Sequence, residues 1–240
     1  MNKVGRIHWV DLLRSIAIIS MVIFHFFYDL KLLELQIYDF HSGFWFFFGH
    51  FIRFIFIGLV GASLYLSYKK RVNYKKYLKH QLKRAFIIFA SGMFFTLCSY
   101  LLFPDNYIRF GILHFIAVGI VIGALLIRNI HLLLIFTIVS FLMGSVVSQF
   151  ILQTPLLMPF GVMYTGFQSL DYFPIFPWLS LILFGIIFAK ILDSQKLLIN
   201  PKWIPRIPIL EKIGQKALLI YIIHQPILFG VIYIVIYFIN

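Results

Sequence analysis

The sequence predicts an all-α, polytopic membrane bundle of about seven transmembrane spans. Three observations predict it. Of the 240 residues 62% are apolar and 19% aromatic, and only 12% are charged, with a mean hydropathy of +0.95. A soluble domain of this length neither needs nor can hide so much apolar surface. The apolar residues fall in runs of about twenty, the length that crosses the hydrocarbon of a bilayer. Lysine and arginine concentrate in alternate links between those runs, as they do when a chain is threaded back and forth across a membrane.

In chain order the spans fall near residues 9–28, 44–68, 84–103, 110–127, 131–152, 175–192 and 215–238, all within one integral-membrane domain over 1–240. The first, from Asp11 to Asp29, is long and apolar yet carries Asp11, Arg14, His25 and Asp29. At about 100° per residue Asp29 returns to the line of Asp11, and Arg14 and His25 lie roughly 60° and 40° to one side of it. Four ionisable groups therefore share one stripe, and such groups inside a membrane face a bundle interior or a wet cavity. A rise of about 1.5 Å per residue separates Asp11 from Asp29 by roughly 27 Å, close to the hydrocarbon thickness. The charged first segment also reads as a retained span and not as a cleaved leader.

The second span holds His50 and Arg53 on one face, with Gly58, Gly61 and Ala62 beyond them. Small residues at that spacing favour close helix packing. A basic link is expected at 69–84, with Lys79, Lys83 and Arg84 among its cations. The fourth span opens on RFGILHF (Arg109 and His114), and the sixth on DYFPIFPWLS (Asp171 and Trp178), where Pro174 and Pro177 shape an extended approach to the helix. Between them, 153–174 is too broken by Pro and Gly to span and is expected to be re-entrant or interfacial. In the seventh, Tyr221, His224 and Gln225 lie at i, i+3 and i+4, and Pro226 frees a carbonyl near Ile222.

Charge sets the expected orientation. Lys3 and Arg6, the 69–84 cations, Arg128, and the run Lys190 to Lys216 that includes Lys196 and Lys202 alternate with links where mainly Lys31 and Arg109 stand beside Asp29, Glu34, Asp39, Asp105 and Asp171. The N-terminus is therefore expected inside and the C-terminus outside. The same bias accounts for the net charge of +13 without any nucleic-acid partner. His25, Asp29, His41, His50, Arg109, His114 and Asp171 then fall near the outer face, and His224 near mid-membrane. Lone Cys98 excludes an intramolecular disulfide and gives no reason to expect a metal.

His25 and Asp29 are one helical turn apart. A carboxylate bonded to one imidazole nitrogen makes the other a better base, which suits deprotonation of a hydroxyl or amine. The structural alternative is a polar pair bridging two helices.

Four stretches taken together, VDLLRSIAIISMVIFHFFYD, RFGILHFIAVG, DYFPIFPWLSLILFG and IGQKALLIYIIHQPIL, resemble the catalytic domain of heparan-alpha-glucosaminide N-acetyltransferase and its prokaryotic relatives. The resemblance runs along nearly the whole chain. It implies a membrane enzyme that takes acetyl from cytosolic acetyl-CoA and delivers it to an acceptor on the far side. It sets CoA phosphates against cytoplasmic cations, for which Arg14, Lys79, Lys83 and Arg84 are the candidates, with Asp11 beside Arg14 in the expected cofactor-binding set. The family pattern of Asp, then Arg followed by Gly, is met by Asp11, Arg14 and Ser15. The lysosomal enzyme's catalytic histidine precedes its second span, where the nearest match is His41. His25 and His41 thus compete for the base, and direct transfer and an acetyl-histidine intermediate both stay open. The expected catalytic set is His25, Asp29 and His41, and the expected acceptor contacts are Arg109, His114, Asp171, Trp178, His224 and Gln225. The expected partners are the lipid bilayer of the plasma membrane, a CoA thioester, and an extracytoplasmic glycan or small acceptor, with a homodimer left open. A carrier whose polar stripe conducts protons or substrate is the alternative function.

Overall fold

The protein is described by a computed structural model over residues 7–33, 35, 38–195 and 205–239. Lys3, Arg6, Glu34, Lys196 and Lys202, used above for orientation, lie outside the described residues. The helices are α1 (His8–Leu32), α2 (Gly43–Lys69), α3 (Tyr74–Leu102), α4 (Ile112–Leu126), α5 (Ile130–Val147), α6 (Ile175–Ser194), α7 (Pro208–Gln215) and α8 (Ala217–Ile239). Among the described residues, six helices are long and apolar enough to cross a membrane. At 15 residues, α4 is about 22 Å long and shorter than the hydrocarbon. It is also sheathed, with most of its side chains buried. The protein is a multi-pass membrane helical bundle.

Two boundaries differ from expectation, at the start of α3 and before α8, whereas 153–174 is broken as expected. The basic run after α2 is mostly helix: only residues 70–73 form a link, and Tyr74 to Arg84 are the first turns of α3. The Asn73 side chain caps that helix by accepting the backbone N–H groups of Lys75 and Lys76. Lysine, glutamine and leucine then carry the helix well. The segment 153–174 does not span. It forms a 3₁₀ turn (Pro155–Phe160) and pairs β2 (Met163–Tyr164) in parallel with β1 (Ile151–Leu152). A short amphipathic helix, α7, precedes α8.

Contacts divide the chain into two compact units. In the middle unit, residues 57–195, α4 is packed by α3, α5 and α6. The second half of α2 meets α6 through small residues. A side chain on Gly185 would overlap the Gly58 carbonyl, and one on Gly61 the Ile182 carbonyl. These glycines let two backbones touch, as their spacing suggests. At one end of this unit Tyr65 donates to Asp193 (2.7 Å), which also takes Lys69, and Tyr74 donates to the Ala124 carbonyl (3.3 Å). At the other end, Leu170 and Phe173 donate to the carbonyls of Asn106 and Phe110 (2.8 Å each), and the Ile108 N–H donates to Ser99 Oγ (3.0 Å). Consecutive helices therefore alternate in direction.

The terminal unit, residues 7–56 with 205–239, packs α1, the first half of α2, α7 and α8 around Ile18, Met21, Ile52 and Ala217. Gly214 of α7 lies flat on the backbone of α1 at Asp11 and Ser15. Farther along, His25 meets His224 and Asp29 meets Gln225. Contacts thus rise in number along both chains, so α1 and α8 run parallel.

Gly185→Ala should lower the melting temperature of the detergent-purified protein, because its Cβ must displace Gly58; overpacking of this kind costs about 1–3 kcal/mol. Gly230→Ala on α8, whose Cβ meets open space, should leave it unchanged or raise it. Equal melting temperatures for wild type and Gly185→Ala would contradict the close α2–α6 approach.

Candidate functional site

The stripe on α1 faces α7 and α8, as ionisable groups in a bilayer require. Asp11 is 3% exposed and Asp29 1% exposed. Near the start of the helix Arg14 donates to the Asp11 carboxylate at 2.6 Å. One pair of charges is thereby satisfied within a single turn, beneath Gly214.

The other end of the stripe meets α8. His25 and His224 stand edge to face with ring centroids 5.0 Å apart. Each imidazole is held from its own helix: Nδ1 of His25 bonds the Met21 carbonyl at 2.9 Å, and Nδ1 of His224 bonds the Tyr221 carbonyl at 2.7 Å. A carbonyl only accepts, so both Nδ1 atoms carry hydrogen and both Nε2 atoms present lone pairs. Nε2 of His224 is buried without a protein partner. One turn beyond, the Gln225 amide donates to Asp29 at 2.8 Å. The second Asp29 oxygen and the Gln225 carbonyl oxygen are buried and unpaired. Tyr221 stacks toward Phe56, and the Arg53 guanidinium lies within Coulombic range of His25.

Two expectations are corrected here. Asp29 does not orient His25: its carboxylate takes Gln225, and His25 is oriented by Met21 instead. The i, i+4 spacing allowed a contact, but the neighbouring helix supplied a donor that a neutral imidazole with its Nδ1 committed does not. The depths assigned to His25 and His224 also change. They lie at one level, because α7 occupies the stretch beside the start of α1 and α8 begins only where Ile18 and Ala217 meet.

His41 lies apart from this cluster. It is exposed, and its backbone N–H donates to Asp39 at 2.8 Å, while the Ser42 hydroxyl takes the other Asp39 oxygen. Those two bonds cap the approach to α2 and hold the Asp39 carboxyl below the usual carboxylate range, Ser42 having the larger effect.

Of the other residues expected near the outer face, Arg109, His114 and Asp171 belong to the middle unit. Arg109 is a stitch. Its guanidinium donates to the Gln168 carbonyl at 3.0 Å and to the Tyr164 hydroxyl, and lies 4.3 Å from the Tyr107 ring centroid. Asp171 accepts the Ile112 N–H at 2.8 Å and so caps α4. Trp178 packs on Phe173. His114 is 2% exposed between Phe89 and Phe110, against Gly92, and both its ring nitrogens are unpaired. Of the six residues expected to contact an acceptor, only His224 and Gln225 join His25 and Asp29. Lys79 and Lys83 are exposed on α3 and Arg84 is half-buried there, also in the middle unit, whereas Asp11 and Arg14 belong to the terminal one.

The family model described as heparan-alpha-glucosaminide N-acetyltransferase, catalytic, matches residues 6–226. The chain belongs to that family. It is accordingly a membrane protein of a transferase family, and the matched stretch takes in every residue of the His25–His224 cluster. Among curated proteins and among solved structures, nothing matches the chain.

Sequence reasoning grouped His25 with Asp29, and Tyr221 with His224 and Gln225, and missed the bond that joins Asp29 to Gln225. Asp29 and Gln225 are 196 positions apart, and no local signal pairs them. Gln225→Leu should destabilise the protein by about 1–3 kcal/mol by leaving a buried carboxylate without its donor. Adding Asp29→Asn should recover part of the loss, since a neutral amide costs less to bury. Thermal unfolding in detergent checks this; an unchanged melting temperature for Gln225→Leu would contradict the pairing.

Proposed function

We propose that the chain transfers an acyl group, acetyl in keeping with its family, from acetyl-CoA to a hydroxyl or amine of an extracytoplasmic acceptor. The observation that carries this reading is the His25–His224 imidazole pair beside the Asp29–Gln225 bond, in a chain of an acetyltransferase family. His25 is the base. As the acceptor's oxygen or nitrogen bonds to the acyl carbon and the carbon–sulfur bond breaks, its proton passes to Nε2 of His25. With Nδ1 tied to Met21, that lone pair is aimed and ready. His224, one ring away, offers a second lone pair that can share the proton. The same His25 nitrogen would serve as nucleophile in an acetyl-histidine route.

The acceptor's chemistry follows from what the site lacks. Its unpaired buried atoms, Asp29 Oδ2, Gln225 Oε1 and His224 Nε2, are all hydrogen-bond acceptors. A ligand bearing several hydroxyls or an amine supplies donors to them, and an anion does not. This supports a sugar or cell-envelope glycan. Lys79, Lys83 and Arg84, all on α3, are the cations proposed to hold the CoA phosphates; Arg14 is committed to Asp11. The charge bias supports a cytoplasmic N-terminus, and the plasma membrane is the proposed location.

Acetyl-CoA should raise the melting temperature of the purified protein, with CoA acting similarly and ATP much less. At about a hundred times the dissociation constant the gain is roughly 2.7 kcal/mol. His25→Ala should lower acetyl transfer at least about a hundredfold, and His41→Ala should retain most of it. No thermal shift at millimolar acetyl-CoA, or full activity of His25→Ala, would sink the reading.

A further inference from the structure

We propose that an open recess in the middle unit, at the α2–α3 turn, binds a phosphate monoester. This site shares no residue with the imidazole cluster and does not rest on the acyltransfer reading. Its lining is Tyr68, Lys69, Arg71, Val72, Tyr74 and Arg128. Two aromatic rings of the lining are fixed from behind: Tyr68 and Tyr74 both pack on buried Tyr77, with centroids 5.3 and 6.1 Å away. The Tyr74 hydroxyl is tied to the Ala124 carbonyl.

The three cations of the lining are not equivalent. Lys69 is spent on Asp193. Arg71 is pinned by neutral groups, donating one nitrogen to the Ser67 hydroxyl (2.5 Å) and carbonyl (3.0 Å). Ser67 is held in turn by Gln81, whose amide donates to its hydroxyl at 2.6 Å. Arg128 lies over the Tyr74 ring, 5.1 Å from its centroid. Among the described residues neither guanidinium has a carboxylate partner. Two positioned forks with unspent N–H donors thus flank one recess, and two uncompensated charges match a dianion. Guanidinium forks suit phosphate oxygens in both charge and geometry. A volume of about 380 Å³ is at the small end of ligand clefts and suits a phosphate on a small organic group.

Position favours a lipid source. The recess lies where α2 and α4 end and α3 and α5 begin, all apolar helices, and Val72 beside it is 84% exposed. That is headgroup level for a membrane protein, so a lipid ending in a phosphate monoester can reach it. A soluble phosphate monoester carries the same chemistry.

The test uses the full chain in neutral detergent micelles, followed by thermal unfolding. Dioleoyl phosphatidic acid, dioleoyl phosphatidylglycerol and dioleoyl phosphatidylcholine are titrated, with glycerol 3-phosphate in parallel. Phosphatidic acid should stabilise at a concentration about tenfold below phosphatidylglycerol, and phosphatidylcholine should not stabilise. Arg71→Gln with Arg128→Gln should weaken phosphatidic acid at least tenfold, while Lys75→Gln with Lys76→Gln, outside the recess, should not. An equal effect of glycerol 3-phosphate would support the site and assign it to a soluble ligand. Equal stabilisation by phosphatidic acid and phosphatidylglycerol, unmoved by the arginine changes, would overturn the proposal in favour of general charge attraction. So would the absence of any shift. Should the double variant fail to fold, Arg128→Lys, which keeps the charge and loses the fork, and the wild-type lipid ranking decide the matter.

Discussion

Burial of the α1 stripe is the constraint on which the terminal unit depends. Asp11, Arg14, His25 and Asp29 cannot face hydrocarbon, so α7 and α8 must cover them. Gly214 is the device that lets α7 come close enough to do so. Each end of the stripe then finds a different solution. Asp11 is neutralised by Arg14 within its own helix. Asp29 is bonded to a neutral amide from α8, which leaves its second oxygen unpaired. The first arrangement is closed and reads as architecture. The second is open, and that incompleteness is what gives it chemistry: a fully satisfied polar network has nothing left to offer a ligand.

The middle unit works differently. Its α4 is buried on nearly all sides, and the helix ends on one side of the unit are joined by backbone and side-chain bonds between 103–110 and 163–174. Arg109 and Asp171 therefore hold two links together and cap a helix. Tyr172, in the same stitched region, has its hydroxyl on the Met158 carbonyl, and burial pushes its phenol up to about 12. These polar groups are tied to one another, in contrast to the unpaired atoms around His224.

Much of this was legible in the residues. The 18-residue return from Asp11 to Asp29 revealed the stripe, and Gly58 and Gly61 announced a close helix contact. The Pro and Gly content of 153–174 ruled out a span. What could not be read has physical reasons. An eight-residue amphipathic helix such as α7 carries too short a pattern to stand out. Lysine-rich sequence looks like a link until Asn73 is seen to cap it. The Asp29–Gln225 bond is tertiary, and the Met21 carbonyl that sets the His25 tautomer is a backbone atom with no residue signature. His41 drew attention through resemblance, yet its backbone N–H is tied to Asp39 and its exposed side chain joins none of the cluster.

The central claim is that His25 and His224 act as one proton-accepting unit. A double-mutant cycle on the rate of acetyl transfer from acetyl-CoA, measured with His25→Ala, His224→Ala and the double variant, tests it most directly. Residues that act as a unit are strongly non-additive. The account predicts that the double variant is no slower than the slower single one. Losses that simply multiply would show that the two imidazoles act independently and would contradict it.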